Sequence, residues 1–166
     1  MKVLWAPWRM EFILGKKPRG DSPKGCVFCR MVREKKDKKN LVLARKNSCF
    51  VVLNKYPYNN GHLMVVPRRH LSEITGLRND EMLEVTQTIQ EAVVRLKKTL
   101  HPDGFNIGIN QGRLAGAGIA DHIHFHIVPR WEADTNFMPV LASTKQMPQH
   151  IKESYDLLAR EWRGRR

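Results

Sequence analysis

Three histidines alternate with apolar residues in the run Asp121-His122-Ile123-His124-Phe125-His126-Ile127-Val128-Pro129-Arg130. Successive side chains of a strand point to opposite faces. His122, His124 and His126 therefore share one face, and Ile123, Phe125 and Ile127 share the other. Valine or threonine would form a strand better, so propensity does not explain the choice. Two chemistries could use such a row. Imidazoles at i, i+2 spacing can ligate a metal, or one neutral imidazole can attack an electrophile while its neighbours orient it. The preceding loop, Asn110-Gln111-Gly112-Arg113-Leu114-Ala115-Gly116-Ala117-Gly118, contains three glycines. Glycines let backbone N–H groups approach an anion closely. Row and loop together suggest a phosphate held against a nucleophile. A second reactive group is Cys26-Val27-Phe28-Cys29. That CxxC suits a metal, a redox pair or two buried thiols, although the βαβ context of a redox motif is missing. Cys49 lies in an apolar run and is expected to be buried.

The elements that position these groups follow from pattern. Leu41–Ala44, Cys49–Leu53 and His62–Val66 are short apolar runs separated by turn-like clusters, as in antiparallel strands. Residues 30–40 predict a short solvated helix ending in a turn at Asn40. Met82, Val85, Ile89, Ala92, Val93, Leu96 and Leu100 recur every three or four residues, which predicts an amphipathic helix over 79–100. Asn79 is its expected N-cap, with Asp80 and Glu81 in the first turn and Lys97 and Lys98 in the last. Further strands are expected at Phe105–Asn110, His122–Val128 and Met138–Ser143. A last helix, about 148–163, has Pro148 in its first turn and the stripe Ile151, Tyr155, Leu158 and Trp162. The expected class is α+β, with a mainly antiparallel sheet, one long helix and a C-terminal helix.

Over roughly residues 26–137 these motifs resemble the histidine-triad (HIT) family of nucleotide hydrolases and transferases. The resemblance rests on Leu53-Asn54-Lys55-Tyr56-Pro57-Tyr58-Asn59-Asn60-Gly61-His62, on Val66-Pro67-Arg68-Arg69-His70, on the Asn110-to-Gly118 loop and on the triad. The turn Tyr56-Pro57-Tyr58-Asn59, the triad entry Ala115–Asp121 and the run Pro129–Phe137 are similar to the family's bacterial diadenosine tetraphosphate phosphorylase branch. The entry loop is one residue longer than in the usual hydrolase form, with Gly-Ala-Gly in place of Gly-Gln.

The resemblance implies a HIT-like fold and a set of roles. His124 is the nucleophile, forming a nucleotidyl-histidine. His126 contacts the phosphate or leaving group, and His62 completes the cluster. Asn54 takes the ribose-binding position. Asn110, Gln111, Gly116, Ala117 and Gly118 form the phosphate loop, and Trp131 borders the nucleotide. Read from the residues alone, Asn54 and Asn110 serve equally as turn residues bonded to their own backbone, and Trp131 as a rim or core residue. The resemblance further implies structural zinc at Cys26, Cys29, His70 and His122, although relatives without the CxxC fold without metal. The implied substrate is a purine nucleotide or dinucleoside polyphosphate, with orthophosphate as acceptor; Arg113, Arg130 and the glycine N–H groups are candidates for its anion pocket, and Arg113 serves equally as a solvated side chain. A hydrolase or nucleoside phosphoramidase is the alternative within the family. A homodimer joining two half-sheets is also implied, with Trp5, Trp8 and Trp162 as interface candidates.

Composition bounds the rest. The chain has 166 residues, 42% apolar and 27% charged, which suits one globular domain. The expected layout is a core at about 26–137, a basic arm at 1–25 and the last helix. Net charge is +13, with 14 basic and 4 acidic residues in the first fifty. Polyanions are thus plausible partners. A nucleic-acid-binding module is the competing class, but no recognition helix or ribonucleoprotein motif is present. No apolar run approaches the roughly 18 residues of a membrane span, no signal peptide is visible, and three cysteines do not make a secreted disulfide framework. A reducing, cytoplasmic location is expected.

Overall fold

The computed structural model describes residues 25–132, 134 and 149–164. In chain order the elements are α1 (Val27–Glu34), α2 (Asp37–Asn40), β1 (Val42–Arg45), β2 (Cys49–Leu53), β3 (Leu63–Pro67), α3 (Asn79–Leu100), β4 (Gly104–Ile109), β5 (Phe125–Arg130) and α4 (Ile151–Arg163). The five strands form one sheet in the order β1-β2-β3-β5-β4, and every neighbouring pair is antiparallel. The class is α+β, as the alternating and helical periods predict.

The two faces of the sheet are covered differently. Val51, Leu53, Leu63, Val65, Phe125 and Ile127 pack with Val85, Ala92 and Leu96 of α3 and Tyr155 and Leu158 of α4. Each such buried aliphatic contributes about 1.5–3 kcal/mol by leaving water. The Tyr155 hydroxyl donates to the Val42 carbonyl at 3.1 Å and ties α4 to β1. The opposite face carries Phe50, Val52, Met64 and Val66 against Cys26, Phe28 and Cys29. Cys49 is fully buried, with Sγ 3.4 Å from the Thr88 hydroxyl. Trp162, expected at a subunit contact, packs against the α3–α4 core of its own chain. Trp5, Trp8, the basic arm up to Lys24 and the strand expected at 138–143 lie outside the described residues.

Three boundaries differ from the sequence pattern. The long helix spans 79–100 as predicted, but its N-cap is Arg78 rather than Asn79. Glu81 fixes that choice by accepting the Arg78 N–H at 2.9 Å. The last helix starts at Ile151, three residues after the predicted start, where His150 Nδ1 caps the Lys152 N–H at 3.3 Å. The histidine strand begins at Phe125, not His122. There the Ile123 N–H leaves the ladder and donates to the Leu71 carbonyl at 2.7 Å.

The turn from β2 to β3 closes on the end of α3 through Gly61, at φ +67°. A Cβ at that position would lie 2.4 Å from Leu100 Cδ1, whose side chain would have to shift, and the left-handed φ itself favours glycine.

Candidate active site and metal centre

His62, His122, His124 and His126 are all buried on the face that carries Phe28. The sheet sets their spacing. His126 is the second residue of β5 and pairs with Met64, while His62 immediately precedes β3. The His124 and His126 rings lie 4.8 Å apart, and those of His62 and His126 5.0 Å apart.

Their partners determine which nitrogens carry hydrogen, because an amide N–H can only donate and a carbonyl can only accept. The Tyr58 N–H donates to His62 Nδ1 at 3.0 Å. Neutral His62 therefore carries its hydrogen on Nε2, which donates to His126 Nδ1 at 2.9 Å. That leaves the His126 hydrogen on Nε2. His124 is the reverse: its Nδ1 lies 2.8 Å from the His122 carbonyl and must donate to it. Its lone pair is on Nε2. Burial pushes the His124 pKa below the ordinary histidine value, against the opposing bond to the His122 carbonyl. A neutral imidazole with an oriented lone pair results, the form a nucleophile needs.

Next to this row, Cys26, Cys29, His70 and His122 bring their ligand atoms within 4.8 Å of one another. Cys26 Sγ is 3.3 Å and Cys29 Sγ 3.6 Å from His122 Nδ1, and His70 Nδ1 is 3.3 Å from both Cys29 Sγ and His122 Nδ1. Ligands of a tetrahedral zinc stand about 3.3–3.8 Å apart, given its bond lengths. His122 suits ligation in two ways. Its Nε2–H donates to the Pro67 carbonyl at 2.9 Å, leaving the Nδ1 lone pair toward the cluster. Burial first, then nearby His70 and His124, lowers its pKa to about 4 and keeps it neutral. Burial, reinforced by Cys26, pushes the Cys29 thiol up to about 11. A bound cation would reverse that effect by stabilising the thiolate. The residues present thus fit a four-coordinate metal ion.

The other expected residues distribute unevenly. The β4–β5 register pairs Gly108 with His126 and Ile109 with Phe125. Asn110 directly follows the last residue of β4. Asn54 lies at the cluster, its Nδ2 3.4 Å from His62 Nδ1, and its Oδ1 also accepts the Tyr56 N–H at 3.0 Å. It therefore has the turn role as well. Gln111 Oε1 accepts the Ile74 N–H at 2.9 Å, fastening the glycine loop to the segment after β3. Within that loop the Gly116 N–H donates to the Arg113 carbonyl and the Ala117 N–H to the Gly112 carbonyl, at 3.0 and 3.2 Å. Two of the amides expected to face phosphate thus close the loop on itself. Gly118 follows them into the histidine segment.

Arg113 is exposed. Arg130 is not brought to the row: it sits at the far end of β5, paired with Asp134 at 2.5 and 2.8 Å. Trp131 lies beyond it, and its indole N–H donates to the Leu100 carbonyl at 3.2 Å. Five extended residues from His126 is about 17 Å. Phe28, Tyr58 and the carbonyls of Pro67 and Leu71 support the site without having been singled out. Phe28 and Tyr58 stand inside quoted motifs, whereas backbone carbonyls have no sequence signature.

Comparison with known proteins identifies the family. The model of the HIT domain family matches residues 35–133. The chain is 39% identical over 166 residues to the AP-4-A phosphorylase of Mycobacterium tuberculosis, covering 98% of this chain and 85% of the relative. It is 29% identical over 105 residues to an adenosine 5'-monophosphoramidase of Schizosaccharomyces pombe, covering 63% and 74%. A solved structure of a zinc-bound histidine triad family protein from Mycobacterium smegmatis superposes with TM-score 0.68 at 26% identity, covering 86% of this chain and 96% of that one. The family match over residues 35–133 and the near full-length relative show that this chain belongs to the HIT family of nucleotide-processing enzymes.

Proposed function

We propose that this enzyme cleaves diadenosine tetraphosphate with orthophosphate, giving ATP and ADP through an adenylyl group carried on His124. The observation that carries the reading is the opposed hydrogen placement on His124 and His126. The near full-length likeness to a phosphorylase supports the choice of substrate.

In the first step the His124 Nε2 lone pair attacks the α-phosphorus. The N–P bond forms, the bridging P–O bond breaks, and its electron pair leaves on ATP. The positive charge on the imidazole is relieved by the Nδ1–H bond to the His122 carbonyl. His126 Nε2–H donates a hydrogen bond to the leaving oxygen. In the second step an oxygen of orthophosphate attacks the same phosphorus, the N–P bond breaks, and ADP leaves with His124 restored. Asn110, next after β4, is suited to the phosphate, and Asn54 to the ribose. Gly116, Ala117 and Gly118 then bind phosphate only if the loop's internal bonds open.

That last point favours the second reading, transfer to water, since no Arg113–Arg130 anion pocket is assembled. One assay separates them. Incubation with diadenosine tetraphosphate and varied orthophosphate is expected to give ADP and ATP at a rate rising with phosphate. AMP and ATP at a phosphate-independent rate would establish the hydrolase.

Zinc is the proposed ion at Cys26, Cys29, His70 and His122, supported by the donor set and by the zinc-bound relative. Four protein ligands fill its coordination shell, so its contribution is cross-linking rather than activation of water. About one zinc per chain is expected by metal analysis after gel filtration. A folded, active chain without metal contradicts the assignment.

We also propose a homodimer formed through β4. This outer strand has an uncharged sequence, Gly-Phe-Asn-Ile-Gly-Ile, with Ile107 half exposed. An apolar edge that is unpaired among the described residues invites pairing with a second copy.

A further inference from the structure

We propose that Tyr58 is a positioning residue for the reaction at the histidine row, acting on His126 through His62. This rests on the proposed role of the row. Its basis is a one-way chain of hydrogen bonds that starts at a backbone amide. The Tyr58 N–H cannot accept, so it forces His62 Nδ1 to be the acceptor at 3.0 Å. His62 Nε2–H must then donate to His126 Nδ1 at 2.9 Å, and His126 must hold its own hydrogen on Nε2. Reversing the tautomer of His62 would set two N–H groups against each other at 3.0 Å. The amide of residue 58 thereby selects which nitrogen of His126 donates, two residues further along the relay.

The Tyr58 side chain acts on the same pair. Its ring lies 4.7 Å from the His62 ring at 32° and 5.7 Å from the His126 ring at 38°. One aromatic face therefore covers both imidazoles and restricts their rotation about χ2, on which the 2.9 Å bond depends. The turn holding Tyr58 is itself anchored. Neighbouring Asn59 is buried and donates to the Pro129 carbonyl at 3.1 Å and to Asp134 at 2.8 Å. The turn is thus fixed to the C-terminal end of the strand that carries His126. His124 owes its opposite hydrogen placement to a separate contact, the His122 carbonyl, so the two histidines are set independently.

The test joins a spectrum to kinetics. In ligand-free protein with 15N-labelled histidine at neutral pH, long-range 1H–15N correlations should show hydrogen on Nε2 of His62 and His126 and on Nδ1 of His124. Tyr58→Ala keeps the amide but removes the ring. It should broaden or mix the His126 pattern, leave that of His124 unchanged, and lower kcat by about tenfold to a hundredfold with little change in KM. Tyr58→Phe keeps the ring and should restore both spectrum and kcat. If Tyr58→Ala does not fold, Tyr58→Leu replaces it. Hydrogen on Nδ1 of His62 in the unaltered protein overturns the proposal. So does a wild-type spectrum and kcat in Tyr58→Ala, or a Tyr58→Phe as impaired as Tyr58→Ala. Because the spectrum is read without substrate, failure of the phosphorylase reading would leave this result standing on its own.

Discussion

His124 and His126 are two residues apart on one face, yet they hold hydrogen on opposite nitrogens. Spacing alone shows that the three imidazoles share a face. It does not show their difference, which arises from a carbonyl, an amide and a fourth histidine 64 positions away from His126. That is why the row was legible from spacing, whereas the separate roles came from the family resemblance and the opposite hydrogen placement only from the fold. The difference should appear in kinetics. His124→Ala removes the attacking lone pair and should lower turnover by about 10³-fold or more. His126→Ala removes a hydrogen-bond donor and should cost about 10²-fold. Initial rates with diadenosine tetraphosphate check both, and equal losses would contradict separate roles.

The end of β3 and the segment from it to α3 do more than connect two elements. The Pro67 and Leu71 carbonyls hold the His122 ring and the Ile123 N–H, and the Ile74 N–H holds Gln111 of the glycine loop. Glu81 anchors it from the first turn of α3. This buried carboxylate accepts Arg69 Nε and Nη2 at 3.0 and 2.6 Å and the Arg78 N–H at 2.9 Å. The helical period and the acidic first turn were readable, whereas this long-range pairing was not, because Arg69 lies in a segment with no periodic pattern. The Arg69 hydrogen bonds hold the Glu81 carboxyl at about 2, below its ordinary 4.5. With the folded value the lower one, this stabilisation is complete above about pH 4.5 and is lost as pH falls toward 2. Glu81→Gln should therefore cost about 1–3 kcal/mol at neutral pH by urea unfolding. The gap from the unaltered protein should close as pH falls through that window. A gap that does not change with pH would contradict this account.

At the scale of the molecule, the antiparallel α+β layout was legible because strand and helix periods alternate cleanly along 41–110. Strand order was not, since β5 inserts between β3 and β4 through contacts across the sheet. The +13 charge pointed to any polyanion. The reactive residues lie mostly in the nearly balanced part of the chain, and the substrate proposed for them is a small, highly charged nucleotide. No helix among the described residues is long and apolar enough to cross a membrane. The β4 edge, unpaired among the described residues, belongs to this scale too. Ile107→Lys should turn a dimer into a monomer in sedimentation velocity, because an exposed lysine on an edge strand opposes strand pairing. A wild-type monomer, or an unchanged dimer in the variant, would contradict dimerisation through β4.

The central claim is that His124 carries the adenylyl group between two phosphates. Rapid quenching with adenine-labelled diadenosine tetraphosphate, followed by peptide mapping, tests it most directly. The account predicts one labelled peptide modified at His124, and release of that label as ADP when orthophosphate is added. No adduct, an adduct on another residue, or release as AMP whether or not phosphate is present would contradict it.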